Sequence, residues 1–255
     1  MKKLIVIMLL ALPLTAFAES SLPWMKDLAG DRELPLPWGV GFDFFTMDQD
    51  YQIDRLELSF PGLGNLDPTL LDVRNQAQEF DLKIDAWILP FLNAFVILGR
   101  TDIETSINIS GLGLPLPFDN LVIDTDGKIF GGGLTLAVGG EQWFASVTGA
   151  LTDTNLGGDF DSSAKAATLQ PRLGLLRDQW QFWVGGFYLD AEETHKGTIG
   201  IPFLGSVPFD VELSQENDWN YTFGVRHEFS KKFDATLELG FGDRDITLFN
   251  VTYRF

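Results

Sequence analysis

Residues 245–255 read DITLFNVTYRF. In an extended chain Phe249, Val251, Tyr253 and Phe255 fall on one side and Asn250, Thr252 and Arg254 on the other, because successive side chains of a strand point to opposite faces. Such a strand needs an apolar medium on one side and a polar one on the other. Further back, residues 233–242 alternate without exception: Phe233, Ala235, Leu237, Leu239 and Phe241 oppose Asp234, Thr236, Glu238, Gly240 and Gly242. Trp219, Tyr221, Phe223, Val225 and Phe229 oppose Asn220, Thr222, Gly224, Arg226 and Glu228, with His227 the one oddity in the apolar row. Two-faced runs recur at residues 80–88, 143–152 and 168–175, and looser ones at 94–101, 128–138 and 180–189.

Short turns fall at residues 90–93, 139–141, 178–179 and 230–232, alternating with longer connections at 111–120, 157–163 and 196–209 and a tight one at 242–245. Bacterial outer-membrane β-barrels pair short periplasmic turns with longer external loops. The chain resembles that class over residues 38–255, most clearly in its terminal Phe255 preceded at two-residue spacing by Tyr253, Val251 and Phe249. The resemblance implies that these four residues form an assembly signal read by the barrel-insertion machinery. It also implies outer-membrane lipid as the surrounding partner. Nine runs follow Phe80, and an even number is needed because both chain ends of such barrels lie in the periplasm. Residues 38–47, continued toward Phe60 through a bulge near 48–50, supply the tenth. The expected fold is all-β: an antiparallel up-and-down transmembrane barrel of about ten strands, monomeric. Twelve strands would require residues 22–37 to form one, against prolines at 23, 35 and 37.

The other end agrees. Residues 1–18 carry Lys2 and Lys3, an apolar stretch and the ending Ala16-Phe17-Ala18, the pattern of a secretory signal peptide. Residues 19–37 fit no strand and form the expected periplasmic N-terminal segment. No later stretch offers the ~18 unbroken apolar residues of a membrane-crossing helix, so any crossing is made by strands. Formal charge is −18, or −18 − 2 = −20 without the two lysines, which disfavours nucleic acid as a partner. There is no Cys, hence no disulfide.

Periodicity does not say which row faces outward, since a soluble barrel would bury the apolar row. Composition does: the polar row is mostly Gly, Thr, Asn, Ser and Gln, which suits a confined lumen, and aromatics sit near the ends of the apolar rows. About ten strands enclose too little space for a general porin. The charges expected to face the lumen are Asp81, Lys83, Asp85, Arg172, Arg226, Glu228, Asp234, Glu238 and Arg254, of both signs. They either pair into a plug or line a narrow conduit.

The connections at 107–122 (INISGLGLPLPFDNLV) and 199–211 (IGIPFLGSVPFDV) share a Gly/Leu/Pro stretch running into Pro-Phe-Asp, echoed at 56–68. Apolar external loops of this kind either pack as a lid or contact an apolar solute through Leu112, Leu114, Phe118, Phe203, Leu204 and Phe209. Acidic residues crowd the strand ends beside them, among them Asp48, Asp102, Glu104, Asp159, Asp161, Glu192 and Glu193, without the spacing of a specific metal site. There are two His. His195, at the expected external level near Glu192 and Glu193, has no nucleophile motif beside it, so no catalytic residue and no cofactor are assigned. The sequence therefore points to passive transport or binding of a small solute, apolar if the loops contact it. A sealed structural or surface-interaction barrel is the alternative, and a barrel enzyme using His195 ranks last.

Overall fold

The structure, a computed structural model, describes residues 22–30, 33–58, 70–112, 120–157, 161–201 and 205–255. The expected signal segment, Asp159 and the loop residues Leu114, Phe118, Phe203 and Leu204 lie outside these. Among the described residues eleven antiparallel strands form one sheet: β1 Trp38–Leu58, β2 Asp72–Leu89, β3 Leu92–Asn108, β4 Asn120–Gly139, β5 Trp143–Leu156, β6 Asp161–Arg177, β7 Trp180–Ile201, β8 Gly205–Gln215, β9 Trp219–Ser230, β10 Phe233–Phe241 and β11 Arg244–Arg254.

The sheet closes twice. Near the chain ends, β1 pairs with β11 and β7 with β9, so the ring runs β1 through β7, then β9, β10 and β11, ten strands in all. The β10–β11 hairpin is short, and above it β8 bridges directly from β7 to β1. That tier has eight strands, β1 through β8. Within 196–209, expected as a loose loop, residues 196–201 are instead the end of β7 and 205–209 the start of β8. The reason is visible in β8 itself, where Val207, Val211 and Leu213 are buried while Ser206 and Pro208 are exposed, the period of a strand with one covered face.

The two tiers are inverted relative to each other. In the ten-stranded tier the outward rows are apolar and bare: Phe42, Phe130, Leu151, Val184 and Tyr221 are 61–69% exposed. On β2 this row is Phe80, Leu82 and Ile84, and higher on the same face it becomes Gln78, Gln76 and Arg74. Correspondingly, Val73 and Ala77 turn inward and are buried. β1 switches between Phe44 and Thr46, β3 between Leu98 and Arg100, and β4 between Phe130 and Lys128. Apolar side chains face whichever medium is not water. Below the switch that medium is hydrocarbon outside the wall, and above it the barrel's own interior. Aromatic contacts mark both edges of the belt, with Trp180 against His227 at 4.2 Å and Phe229 against Phe233 at 5.5 Å near the turns, and Tyr188 against Trp219 at 5.2 Å near the switch.

The N-terminal segment is tied to the turn-side rim. Trp24 N–H donates to the Ile88 carbonyl at 2.9 Å, Trp87 N–H donates to the Pro37 carbonyl at 2.8 Å, and Lys231 pairs with Glu33. The barrel seam closes at the last residue, where Trp38 and Phe255 exchange backbone hydrogen bonds of 3.2 and 3.0 Å.

Candidate functional site in the barrel interior

The interior has three levels. Nearest the chain ends, charged side chains from distant strands meet across the lumen. Arg254 donates to both carboxylate oxygens of Asp85 at 3.0 Å, reaching over β1 at Gly39, where a Cβ would stand 2.6 Å from that carboxylate. Arg172 on β6 reaches Glu238 on β10 at 2.6 and 3.1 Å, and Arg226 reaches Asp234 at 2.8 Å. Glu228 accepts from Gln181 at 3.1 Å, and Lys83 stands 3.6 Å from Asp43. Bidentate pairing across skipped strands satisfies charges that could not otherwise leave water. These groups enclose a polar space of about 210 Å³.

Above it lies a chamber of about 390 Å³ whose lining includes Phe45, Phe95, Ile97, Phe187, Ile246 and Leu248. Phe45 and Phe187 stack across it with ring centroids 6.4 Å apart. The rest of the lining is polar: Glu79 and Asp81 of β2, Thr135 of β4, Thr148 and Thr152 of β5 and Thr168 and Gln170 of β6 also border the chamber, and among the described residues neither Glu79 nor Asp81 has an ion-pair partner. Asp81 folds over Gly99, where a Cβ would lie 1.7 Å from its Oδ1.

The roof is a polar bar topped by an apolar cluster. Asn75 of β2 donates to Glu193 of β7 at 3.4 Å, joining walls that are not neighbours in the sheet, and to Thr105 at 3.1 Å. His195 is fully buried, with Nε2 2.6 Å from Glu193 Oε1 and Nδ1 2.8 Å from Ser162 Oγ. The register sets Ser162 directly opposite His195, a pairing across 33 residues that no local motif announces. Beside them are Tyr51, Gln49 and Arg244, whose Nε donates to Gln49 at 2.5 Å. Burial, and then the Glu193 charge, hold the Tyr51 phenol protonated well above its ordinary range. Over this bar Tyr51, Val73, Ile107, Ile123, Val211 and Leu213 form one cluster, with Phe209 packed against it.

Two expectations change here. His195 does not stand at an exposed external strand end: it points inward because β7 continues past the belt. Ser162, His195 and Glu193 make the contacts of a nucleophile, base and acid, yet they are 6%, 0% and 2% exposed, leaving no room for a substrate carbonyl. They brace the roof. Phe209 is likewise not a loop residue but lies in β8, while Leu112 ends a short turn, Ser110–Leu112. All nine charges named from the sequence lie on the inward face, and Phe249, Val251 and Tyr253 on the outward face of β11. The signal that would have found Tyr51, Asn75 and Thr105 is the change of phase in the alternation. Among the described residues no group of three or more His, Asp or Glu is placed to hold a metal ion.

A closed antiparallel sheet with an apolar outer belt, a charge-paired lumen and its first and last strands starting and ending at the short-turn rim defines a bacterial outer-membrane β-barrel. No family model matches the chain, and no curated protein does. Among solved structures it overlaps the translocator domain of the autotransporter NalP from Neisseria meningitidis (12% identity, 90% of this chain and 92% of that one, TM-score 0.41). An outer-membrane channel from Pseudomonas putida F1 overlaps at 10% identity, 89% and 98% coverage and TM-score 0.39. The toluene transporter TbuX from Ralstonia pickettii does so at 9%, 88% and 90%, and 0.34. Overlaps of this degree bear on neither solute nor mechanism. The class rests on the belt and the double closure.

Proposed function

We propose that the barrel takes a small apolar solute into its central chamber and passes it passively across the outer membrane. The observation that carries this reading is the chamber lining: aromatic and aliphatic side chains turned inward at a level where a barrel lumen is ordinarily polar. Apolar walls around open space are unfavourable in water and favourable around an apolar guest. The volume lies near the lower end of ligand pockets, about 300–1,000 Å³.

The test is binding of 1-fluoronaphthalene to the protein in nanodiscs, read by fluorine NMR against empty nanodiscs. Phe187→Ser removes about 2 kcal/mol of apolar contact, a ~30-fold loss of affinity. Equal affinity in both proteins would remove the chamber from the account. The cross-lumen Asn75–Glu193 bond favours a second reading, a sealed structural barrel. On that reading the wild-type protein binds no probe at all.

A further inference from the structure

Charged groups in the lumen mostly satisfy one another. Asp85, Glu238 and Asp234 accept from guanidinium groups, Glu228 accepts from Gln181, and Lys83 is turned toward Asp43. Thr135 and Thr148 of the chamber lining bond each other at 2.9 Å. Three neighbouring groups on β2 and β3 depart from this. Glu79, Asp81 and Thr101 all border the chamber, yet among the described residues their side chains have no hydrogen-bond or ion-pair partner. Thr101 is only 2% exposed, and its hydroxyl and the Asp81 Oδ1 are both buried.

The strand register draws the three together. Thr101 of β3 stands directly opposite Glu79, and Phe45 of β1 stands opposite Glu79 on the other side. Directly opposed side chains have Cβ atoms about 5 Å apart, and residues two apart on a strand lie about 7 Å apart on one face. Glu79, Asp81 and Thr101 thus fall within reach of one small head group. Phe45 stacks on Phe187 across the lumen, so the acid pair abuts the aromatic part of the lining. Two half-buried carboxylates without a counter-charge lose hydration and repel each other, a cost that an arriving cation removes. Among the described residues no third His, Asp or Glu joins them in a metal-holding group. An ammonium needs none: its three N–H donors suit two carboxylates and a hydroxyl, and its charge suits neighbouring aromatic rings.

We infer that Glu79, Asp81 and Thr101 form a head-group site for an alkyl- or arylalkylammonium ion whose apolar body lies against Phe45 and Phe187. This rests on the chamber reading above and names the solute class: the body fills the apolar space and its one charge is met on β2. Lys83 and Arg172 do not compete for the carboxylates, being turned to Asp43 and Glu238. A carboxylate or phosphate head would be repelled at the same place.

The test is fluorine NMR on the protein in phosphatidylcholine nanodiscs, against empty nanodiscs, with 4-fluorophenethylamine and 4-fluorophenethyl alcohol. The two share a body, but at pH 7 the head is an ammonium in the first and a neutral hydroxyl in the second. The site predicts that the wild-type protein binds the amine about tenfold more tightly than the alcohol, and that Glu79→Gln with Asp81→Asn abolishes the preference. Thr101→Val, which leaves the charge in place, is expected to weaken amine binding about threefold. All these proteins should bind 1-fluoronaphthalene alike, which also shows the variants to be folded. Equal wild-type affinities for amine and alcohol overturn the ammonium site however the variants behave, and with 1-fluoronaphthalene still bound they leave the chamber reading standing. A preference that survives in the folded double variant overturns the assignment to Glu79 and Asp81. Absence of 1-fluoronaphthalene binding in the wild-type protein removes both readings.

Discussion

Tyr51 illustrates what this interior asks of a polar side chain. It is 8% exposed, beside Glu193 on one hand and Arg244 on the other. Burial is the first cause of its raised pKa and the Glu193 charge the second, with Arg244 pulling the other way. A raised value means that the folded state binds the proton more tightly than the unfolded chain. The contribution is complete below the ordinary phenol value of about 10 and is lost as pH climbs from there through the folded value. Urea midpoints at pH 8 and pH 11 should therefore fall less in Tyr51→Phe than in the wild-type protein, and equal falls would show that Tyr51 carries none of the alkaline sensitivity. At this scale the sequence names residue types without partners. His195 attracts notice as one of two His, but Ser162 and Asn75 become its surroundings only through the register of β6 and β2.

Among the elements, β8 decides how the upper tier closes. Its inner row of Val207, Val211 and Leu213 is 0–3% exposed, and its two edges join β7 and β1 above the short β10–β11 hairpin. A proline within it removes a ladder hydrogen bond and costs about 3 kcal/mol or more. Val211→Pro is thus expected to expose residues 205–215 to protease while the ten-stranded belt stays protected. Loss of protection in both tiers together would show that they do not separate. In sequence the Gly, Pro and Phe of β8 read as a loop, because its apolar row lies on the face opposite to the belt's. The same change of phase hid the upper halves of β1, β2, β3 and β4. On β2 the apolar positions are even at Phe80, Leu82 and Ile84 but odd at Val73 and Ala77, so a search for one continuous row stops at Phe80.

As a whole the molecule joins a membrane barrel to a water-bathed barrel with its apolar face turned in. An ion crossing it would meet the Asn75–Glu193 bar and then the cluster around Leu213, where it must shed its hydration. Planar bilayers holding the protein should show no porin-sized conductance steps, and such steps in the wild-type protein would mean that the roof is open. From sequence alone follow the all-β class and the lipid-facing rows. Each depends only on which residues alternate along a strand. The double closure, the inward-turned chamber and the buried Ser162–His195–Glu193 brace belong to the tertiary structure. They arise from pairings between strands far apart in the chain, and from a change of surrounding medium that a strand's own residues do not announce.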